Sequence, residues 1–130
     1  METIRVLFDT DLGDDVDDAA ALILALRSPG IQIAGVTTVF KDTRRRRELV
    51  QDLFARAGKP EIPVYAGYGK AFVERRFDET EEPIQYGLLE RTKTGTDDDA
   101  EAGQCAVDFI LETLKERPDT VILAMGSMTN

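Results

Sequence analysis

Four short apolar runs alternate with helix-length segments along the chain, and this order constrains the possible folds more than any other feature. The runs have the length and β-branched content of buried strands; they are Ile4–Phe8, Ile31–Val39, Pro63–Ala66 and Thr120–Met125. The other segments place apolar residues at helical spacing and stop near Gly or Pro; they are Ala19–Leu26, Thr43–Ala57 and Ala102–Leu114. Strands separated by helices predict an α/β fold for residues 1–130, a single domain with a mainly parallel open sheet and flanking helices.

The composition is that of a globular domain and argues against two classes of partner. Hydrophobic residues make up 42% and charged residues 32% of the chain, which provides enough apolar material for an ordered core. The 25 acidic and 16 basic residues give a net charge of −9. Nucleic acids and anionic membranes are bound by clustered Lys and Arg, so neither is expected as a partner. A single cysteine and an N-terminus without signal-peptide character predict a cytoplasmic location.

The residue inventory excludes several kinds of catalytic site within this chain. There is no His, and Cys105 is the one Cys. A Ser-His-Asp triad, a Cys-His pair and a His/Cys zinc site therefore cannot be assembled from these residues. Catalysis is left to carboxylates, hydroxyls, Lys or Arg, or a hard metal ion.

Most of the acidic charge lies in one turn directly after the first predicted strand. The sequence from Asp9 to Asp18 is DTDLGDDVDD, with six aspartates in ten positions. Helix capping accounts for two or three of them, since Asp in a first helical turn contributes about 0.3 to 1 kcal/mol. The others repel one another, by roughly 3 kcal/mol for two carboxylates about 5 Å apart at an effective dielectric near 20. A cation would reverse that sign, so the turn predicts a calcium or magnesium site, with capping alone as the alternative.

The predicted topology places other segments near these aspartates. Ligands of parallel α/β sheets bind beyond the carboxyl ends of the strands. The segments after the second strand (Phe40–Thr43) and after the fourth (Met125–Asn130) are therefore expected to converge on the acidic residues. Residues 67–96 form an irregular stretch of unusual length, which predicts a cover over the site.

Two known motifs fit the acidic stretch incompletely. An EF-hand loop would need Gly at Asp14 and Glu at Ala20, and it would follow a helix rather than a strand. The segment VLFDTDLG resembles the aspartate phosphatase motif of the haloacid dehalogenase superfamily, which would make Asp9 a nucleophile and Asp11 an acid/base. Against that resemblance, Gly13 stands where Thr or Val is usual.

The stretch DTDLGDDVDDAAAL more closely resembles the N-terminal hallmark of nucleoside hydrolases, the inosine–uridine preferring N-ribohydrolases. The resemblance continues in order through GVTTVF at residues 35–40, VYAG at 64–67 and GSMTN at 126–130. It implies a Rossmann-like nucleoside hydrolase core, a ribonucleoside substrate and hydrolysis of the N-glycosidic bond.

By position, the resemblance also implies the metal ligands and the base. Asp11, Asp18 and the backbone carbonyl of Met125 would bind calcium, with magnesium as the less favoured cation. Asp11 would serve in addition as the catalytic general base, accepting a proton from the water that attacks the anomeric carbon. The transition state would resemble an oxocarbenium ion.

Four further aspartates receive roles from the same resemblance. Asp17 would hydrogen-bond the ribose hydroxyls, and Asp42 aligns with a family Asn that contacts the sugar. Asp9 and Asp15 would support the site from beside Asp11.

Nucleoside hydrolases run to more than twice the 130 residues of this chain. Their second half supplies a further metal-ligating Asp and usually a His that helps the base depart. The resemblance therefore implies a truncated core, completed by a missing C-terminal half or by a homo-oligomer, and weak or absent turnover by this chain alone. A non-catalytic metal- or ribose-binding module is the rival from another class.

Arg44–Arg47 form a run of four basic residues at the start of the second predicted helix. Four successive helical residues point around most of the helix circumference. The run therefore predicts a solvated helix start in preference to a phosphate-binding patch.

Overall fold

The computed structural model of the chain describes residues 2–71, 80–89 and 99–130. The strands are β1 (Ile4–Thr10), β2 (Ile31–Thr38), β3 (Val64–Ala66) and β4 (Val121–Ala124). The α-helices are α1 (Asp17–Arg27), α2 (Thr43–Arg56) and α3 (Asp99–Glu116), and a short 3-10 helix spans Ile84–Leu88. Within these described ranges, no helix combines the length and the apolarity that a membrane crossing requires.

The strands form one parallel sheet in the order β3–β2–β1–β4. The predicted α/β fold with a mainly parallel sheet is confirmed, and the predicted strands and helices all occur within a few residues of their expected bounds. In the sheet register, Asp9 of β1 lies beside Thr37 of β2 and Ala124 of β4. The carboxyl ends of three strands thus meet around Asp9.

The helices cover the two faces of the sheet. Helices α1 and α2 share one apolar cluster with β1 and β2, in which Leu22, Val36 and Phe54 are almost fully buried. Each such side chain contributes roughly 1.5 to 3 kcal/mol when it leaves water. Helix α3 packs on the opposite face, where Phe109 stacks on Tyr65 with ring centroids 4.6 Å apart. Phe109 also lies so close to Gly35 that an added Cβ would stand 2.4 Å from its ring.

Strand β4 departs from the prediction of a buried strand. Its residues Val121, Ile122 and Leu123 are 43 to 48% exposed. The reason is position, since β4 ends the strand order and has β1 as its strand partner among the described residues. The apolar run of β4 is therefore an exposed sheet edge.

We expect this chain to self-associate through β4, because an exposed apolar edge strand offers unpaired backbone groups to another strand. Sedimentation velocity at increasing concentration is expected to show species larger than the 14.4 kDa monomer. Ile122→Lys is expected to shift the distribution toward monomer. Leu88→Lys is the matched control, since Leu88 is also an exposed apolar residue but lies outside the sheet. A single monomeric species at all concentrations would contradict this expectation.

Candidate active site

The acidic turn (Asp9–Asp18) connects the end of β1 to the start of α1. Its aspartates do not act as a helix cap, because the N-cap residue of α1 is Val16 and no side chain caps the helix there. Asp17 and Asp18 lie in the first helical turn, where they face the positive end of the helix dipole. Capping alone therefore does not explain the six aspartates.

Asp11 and Asp18 are brought together by this turn. Asp18 is 7% exposed and accepts a hydrogen bond from Thr10 Oγ1, with 2.5 Å between the oxygens. Burial, a hydrogen bond with Asp18 and the negative charge of Asp18 together raise the pKa of Asp11 to about 6, and the positive charge of Arg46 opposes them. Two carboxyl groups that share one buried space resist simultaneous ionisation.

Asp9 lies near the carboxyl end of β1 and is 5% exposed. Its Oδ1 accepts hydrogen bonds from Thr37 Oγ1 at 2.6 Å and from Asn130 Nδ2 at 2.8 Å. Burial raises the pKa of Asp9, and these two hydrogen bonds offset only part of that increase. Its backbone carbonyl accepts from the amide of Met125 at 2.7 Å. Asp9 thus ties β1 to β2 and to the segment after β4.

The segment after β4 converges on the acidic turn as the topology predicts. A Cβ at Gly126 would stand 2.6 Å from Val39 and 3.1 Å from the amide nitrogen of Asp11, so glycine permits the close approach. Asn130 accepts from the amide of Tyr68 at 2.8 Å and donates to the carbonyl of Thr38 at 3.2 Å, besides its bond to Asp9. No role was predicted for Asn130 from the sequence, although it belongs to the motif GSMTN.

Arg46 is a second residue that the sequence analysis missed. Its side chain is 0% exposed, so a solvated helix start is wrong for this member of the basic run. The start of α2 lies against the acidic turn, which places the third arginine inside. Helical phase is the signal that could have found it, because Arg46 precedes the buried residues Leu49 and Val50 by three and four positions.

Residues 80–89, called the strap below, lie over the outside of the acidic turn. The amide of Gln85 donates to the carbonyl of Gly13 at 2.7 Å, and its side chain donates to the carbonyl of Asp15 at 3.0 Å. Pro83 is almost fully buried and leaves no room for a Cβ at Gly13. The strap belongs to the stretch predicted to cover the site, and residues 72–79 and 90–96 of that stretch lie outside the described residues.

Ionic contacts also fasten the strap to α2 and to the residues before it. Lys41 pairs with Glu81 at 2.8 Å, and Arg45 pairs with Glu82. Asp14 accepts from Arg46 at 2.8 Å and from the amide of Ile84 at 3.1 Å. Burial alone would raise the pKa of Asp14, but these two hydrogen bonds and the positive charges of Arg46 and Lys41 together hold that pKa below its usual value.

Asp42 follows a strained turn at the end of β2. Phe40 and Lys41 have φ angles of 73° and 57°, the left-handed region that non-glycine residues rarely adopt. Asp42 then caps α2, and its carboxylate accepts from the amide of Arg45 at 3.1 Å. Backbone strain of this kind persists where the surroundings enforce it, often at functional sites.

The remaining site residues of the sequence analysis are exposed or lie at strand ends. The side chains of Asp15 and Asp17 are exposed on the acidic turn. Met125 follows β4 and is partly buried beside the apolar core. The structure therefore pairs Asp11 with Asp18, holds Asp9 on Thr37 and Asn130, and leaves Asp15 and Asp17 exposed.

The donor set is suited to a hard cation but is small. Among the described residues, no three His, Cys, Asp or Glu side chains converge as a metal cluster. Asp11 and Asp18 supply oxygen donors, and calcium takes six to eight of them from carboxylates, carbonyls and waters. Besides burial, repulsion from the charge of Asp18 raises the pKa of Asp11. A cation bound between the two carboxylates would relieve this repulsion. These oxygen donors are of the type that calcium binds, and carbonyls, water or substrate would have to supply the remaining ligands.

Comparison with known proteins gives consistent matches. The family model of inosine-uridine preferring nucleoside hydrolases matches residues 6–130. An uncharacterised protein of Schizosaccharomyces pombe is 35% identical over 134 residues, covering 98% of this chain and 41% of that protein. A probable uridine nucleosidase of Oryza sativa is 30% identical over 135 residues, covering 97% of this chain and 38% of that protein. The chain thus spans about two-fifths of the length of these relatives.

Solved structures show the same fold. The purine-preferring ribonucleoside hydrolase of Gardnerella vaginalis superimposes with a TM-score of 0.72 at 25% identity, covering 96% of this chain and 41% of that chain. A plant nucleoside hydrolase superimposes with a TM-score of 0.67 at 25% identity, covering 95% and 39%.

Proposed function

Because the chain belongs to the inosine-uridine preferring nucleoside hydrolase family, we propose that it forms the metal- and ribose-binding part of an enzyme that hydrolyses the N-glycosidic bond of ribonucleosides. The observation that carries the proposal is the pairing of Asp11 and Asp18 at the carboxyl end of β1. Pockets for ligands of parallel α/β sheets lie at this edge.

The proposed metal is calcium, held by Asp11, Asp18 and the backbone carbonyl of Met125. Calcium is favoured over magnesium because it accepts flexible, mixed oxygen coordination, whereas magnesium requires near-ideal octahedral geometry. When bound, the ion would act as a Lewis acid and lower the pKa of a coordinated water molecule. Asp18 is held ready for this role by the hydroxyl of Thr10.

Asp11 is the proposed general base. In the metal-free chain, burial and the neighbouring Asp18 raise the pKa of Asp11 to about 6, so its carboxylate is a stronger base than an ordinary aspartate. As Asp11 takes that proton, the water oxygen bonds to the anomeric carbon. The bond from this carbon to the base nitrogen breaks, and its electron pair leaves with the base.

Asp17 and Asp42 are the proposed ribose contacts. Asp17 is exposed in the first turn of α1, one residue before Asp18. One carboxylate oxygen of Asp42 accepts from the amide of Arg45, and the other lies 3.5 Å from the Arg45 guanidinium. Each oxygen carries two lone pairs, so acceptor capacity remains for a sugar hydroxyl. Asp9 and Asp15 are proposed to support the turn, Asp9 through its bonds to Thr37 and Asn130.

The aspartate phosphatase reaction is less consistent with this geometry. Its nucleophile would be Asp9, which is buried, has a raised pKa and already accepts two hydrogen bonds. A nucleophilic carboxylate must be ionised and must reach the phosphorus atom. A non-catalytic binding module is the second candidate, favoured by the small donor set among the described residues.

Calorimetry with calcium and then ribose tests the proposal. We expect one calcium ion to bind per chain, and ribose to bind to the calcium-loaded chain but not in excess chelator. Absence of calcium binding, or tighter binding of magnesium than of calcium, would contradict the assigned metal site. Ribose binding that persists in chelator would contradict a sugar site organised by the metal.

A further inference from the structure

Arg46 makes an unusual set of contacts for a helix residue. Its Nη1 donates to the backbone carbonyls of Asp11 and Leu12, the latter at 3.1 Å. Its Nε donates to the carbonyl of Phe40 at 2.8 Å, and its Nη2 donates to Asp14 at 2.8 Å. A guanidinium presents its donors in a fixed planar fork, so these four contacts fix the relative placement of their acceptors.

The acceptors belong to two loops that follow different strands. Asp11, Leu12 and Asp14 lie in the acidic turn after β1, whereas Phe40 lies in the strained turn after β2. Neither stretch is regular secondary structure, so its carbonyls need partners from outside the β-ladder. One buried side chain therefore joins the backbone beside the proposed metal ligands to the backbone beside Asp42.

The alternative is that Arg46 serves only to fill space in the protein core. Burying a charge for that purpose is costly unless the charge is paired and hydrogen-bonded. A hydrophobic residue at this position would continue the stripe of Leu49 and Val50 without that cost. Ring contact with Phe40 at 5.6 Å adds packing but does not require a guanidinium. Only arginine can donate hydrogen bonds to three carbonyls and a carboxylate at once from this position.

We propose that Arg46 is a positioning residue, which sets the distance between the metal side of the site, at Asp11, and the sugar side, at Asp42. Its hydrogen bonds go to the two turns, and it acts through them. The assignment to metal and sugar sides rests on the proposed function, whereas the bridging of the turns rests on the contacts of Arg46 alone.

Arg46→Lys tests the proposal because lysine keeps the positive charge but cannot span both turns. We expect calcium binding about tenfold weaker, in the range that loss of a metal-supporting partner usually costs. Arg56→Lys is the matched control, since Arg56 lies on the same helix in an exposed pair with Asp52. That control is expected to leave calcium affinity unchanged.

Amide hydrogen exchange of the metal-free chain tests the bridging of the two turns separately from the assignment of a metal side and a sugar side. In Arg46→Lys we expect faster exchange at Leu12, whose amide donates to Thr10 Oγ1, and at Gln85, whose amide donates to Gly13. Exchange in the centre of β1 is expected to stay at the level of the unmodified chain. Failure of the unmodified chain to bind calcium would contradict the proposed function, while the local exchange pattern would still support the bridging role.

Two results would overturn the positioning role. One is unchanged exchange together with unchanged calcium affinity in Arg46→Lys. The other is faster exchange spread evenly over the sheet, which would make Arg46 a general core residue. If Arg46→Lys does not fold, Asp14→Asn serves instead, because it removes one acceptor at a half-buried position. Faster exchange limited to the acidic turn and the strap in that variant supports the proposal, and unchanged exchange contradicts it.

Discussion

Replacing Asp18 by asparagine is expected to weaken calcium binding by more than about a hundredfold, beyond the loss typical of a residue outside the ligand set. The change removes one of the two paired carboxylates and leaves Asp11 without its charged neighbour. Asparagine can still accept the hydrogen bond from Thr10, so the local fold is expected to persist. Isothermal titration calorimetry at neutral pH measures the effect.

Asp108→Asn is the control for this substitution. Asp108 is an exposed carboxylate on α3 that accepts from Gln104, far in sequence from the acidic turn. Its loss changes the net charge by the same amount and is expected to leave calcium affinity unchanged. Equal calcium affinity in Asp18→Asn and the unmodified chain would remove Asp18 from the metal site.

Calcium binding is expected to weaken as the pH falls through about 6, because Asp11 must release its proton to become a ligand. Below that pH, affinity is expected to fall about tenfold per pH unit, the dependence for one proton. Titrations between about pH 7.5 and about pH 5, in two buffers of different ionisation heat, measure both affinity and proton release. Calcium binding of constant affinity over this range would contradict ligation by Asp11.

The same pKa has the opposite consequence for the stability of the metal-free chain. The folded-state pKa of Asp11 is raised from 3.8 to about 6, so the folded chain holds this proton to a higher pH than the unfolded chain. Its contribution to stability is fully present below 3.8 and is lost as the pH rises through about 6. Thermal unfolding of the unmodified chain, compared with Asp11→Asn, isolates this contribution. We expect the destabilisation of the unmodified chain relative to Asp11→Asn to grow across that range.

The parts of the fold that could be predicted are those with a periodic sequence. Alternating strand and helix periods gave the element order, and the parallel topology that follows from them placed the acidic turn and the segment after β4 at one sheet edge. The observed contacts of Gly126 with Asp11 and Val39 agree with that placement. The stretch GSMTN also contained Asn130, whose role depends on three strand ends and cannot be inferred from its neighbours in sequence.

The features that escaped prediction depend on packing between distant segments. In a run of four arginines, composition alone does not identify Arg46 as the one that enters the core, because that depends on where the acidic turn lies. The prediction that β4 is buried was wrong, because an apolar strand sequence does not specify whether other elements cover both sides of the strand. The strap lacks a periodic pattern, and its bonds from Gln85 to the acidic turn form between residues 70 or more positions apart.

Release of ribose from uridine and inosine, measured as reducing sugar with calcium and with excess chelator, tests whether the aspartate site acts on ribonucleosides. We expect slow sugar release in calcium, at a rate far below that of a full-length family member, and loss of this release in chelator and in Asp11→Asn. A phosphomonoester assayed in parallel is expected to release no phosphate. Calcium binding without any sugar release would contradict hydrolysis by this chain and favour the binding module, and release of phosphate would contradict the nucleoside site altogether.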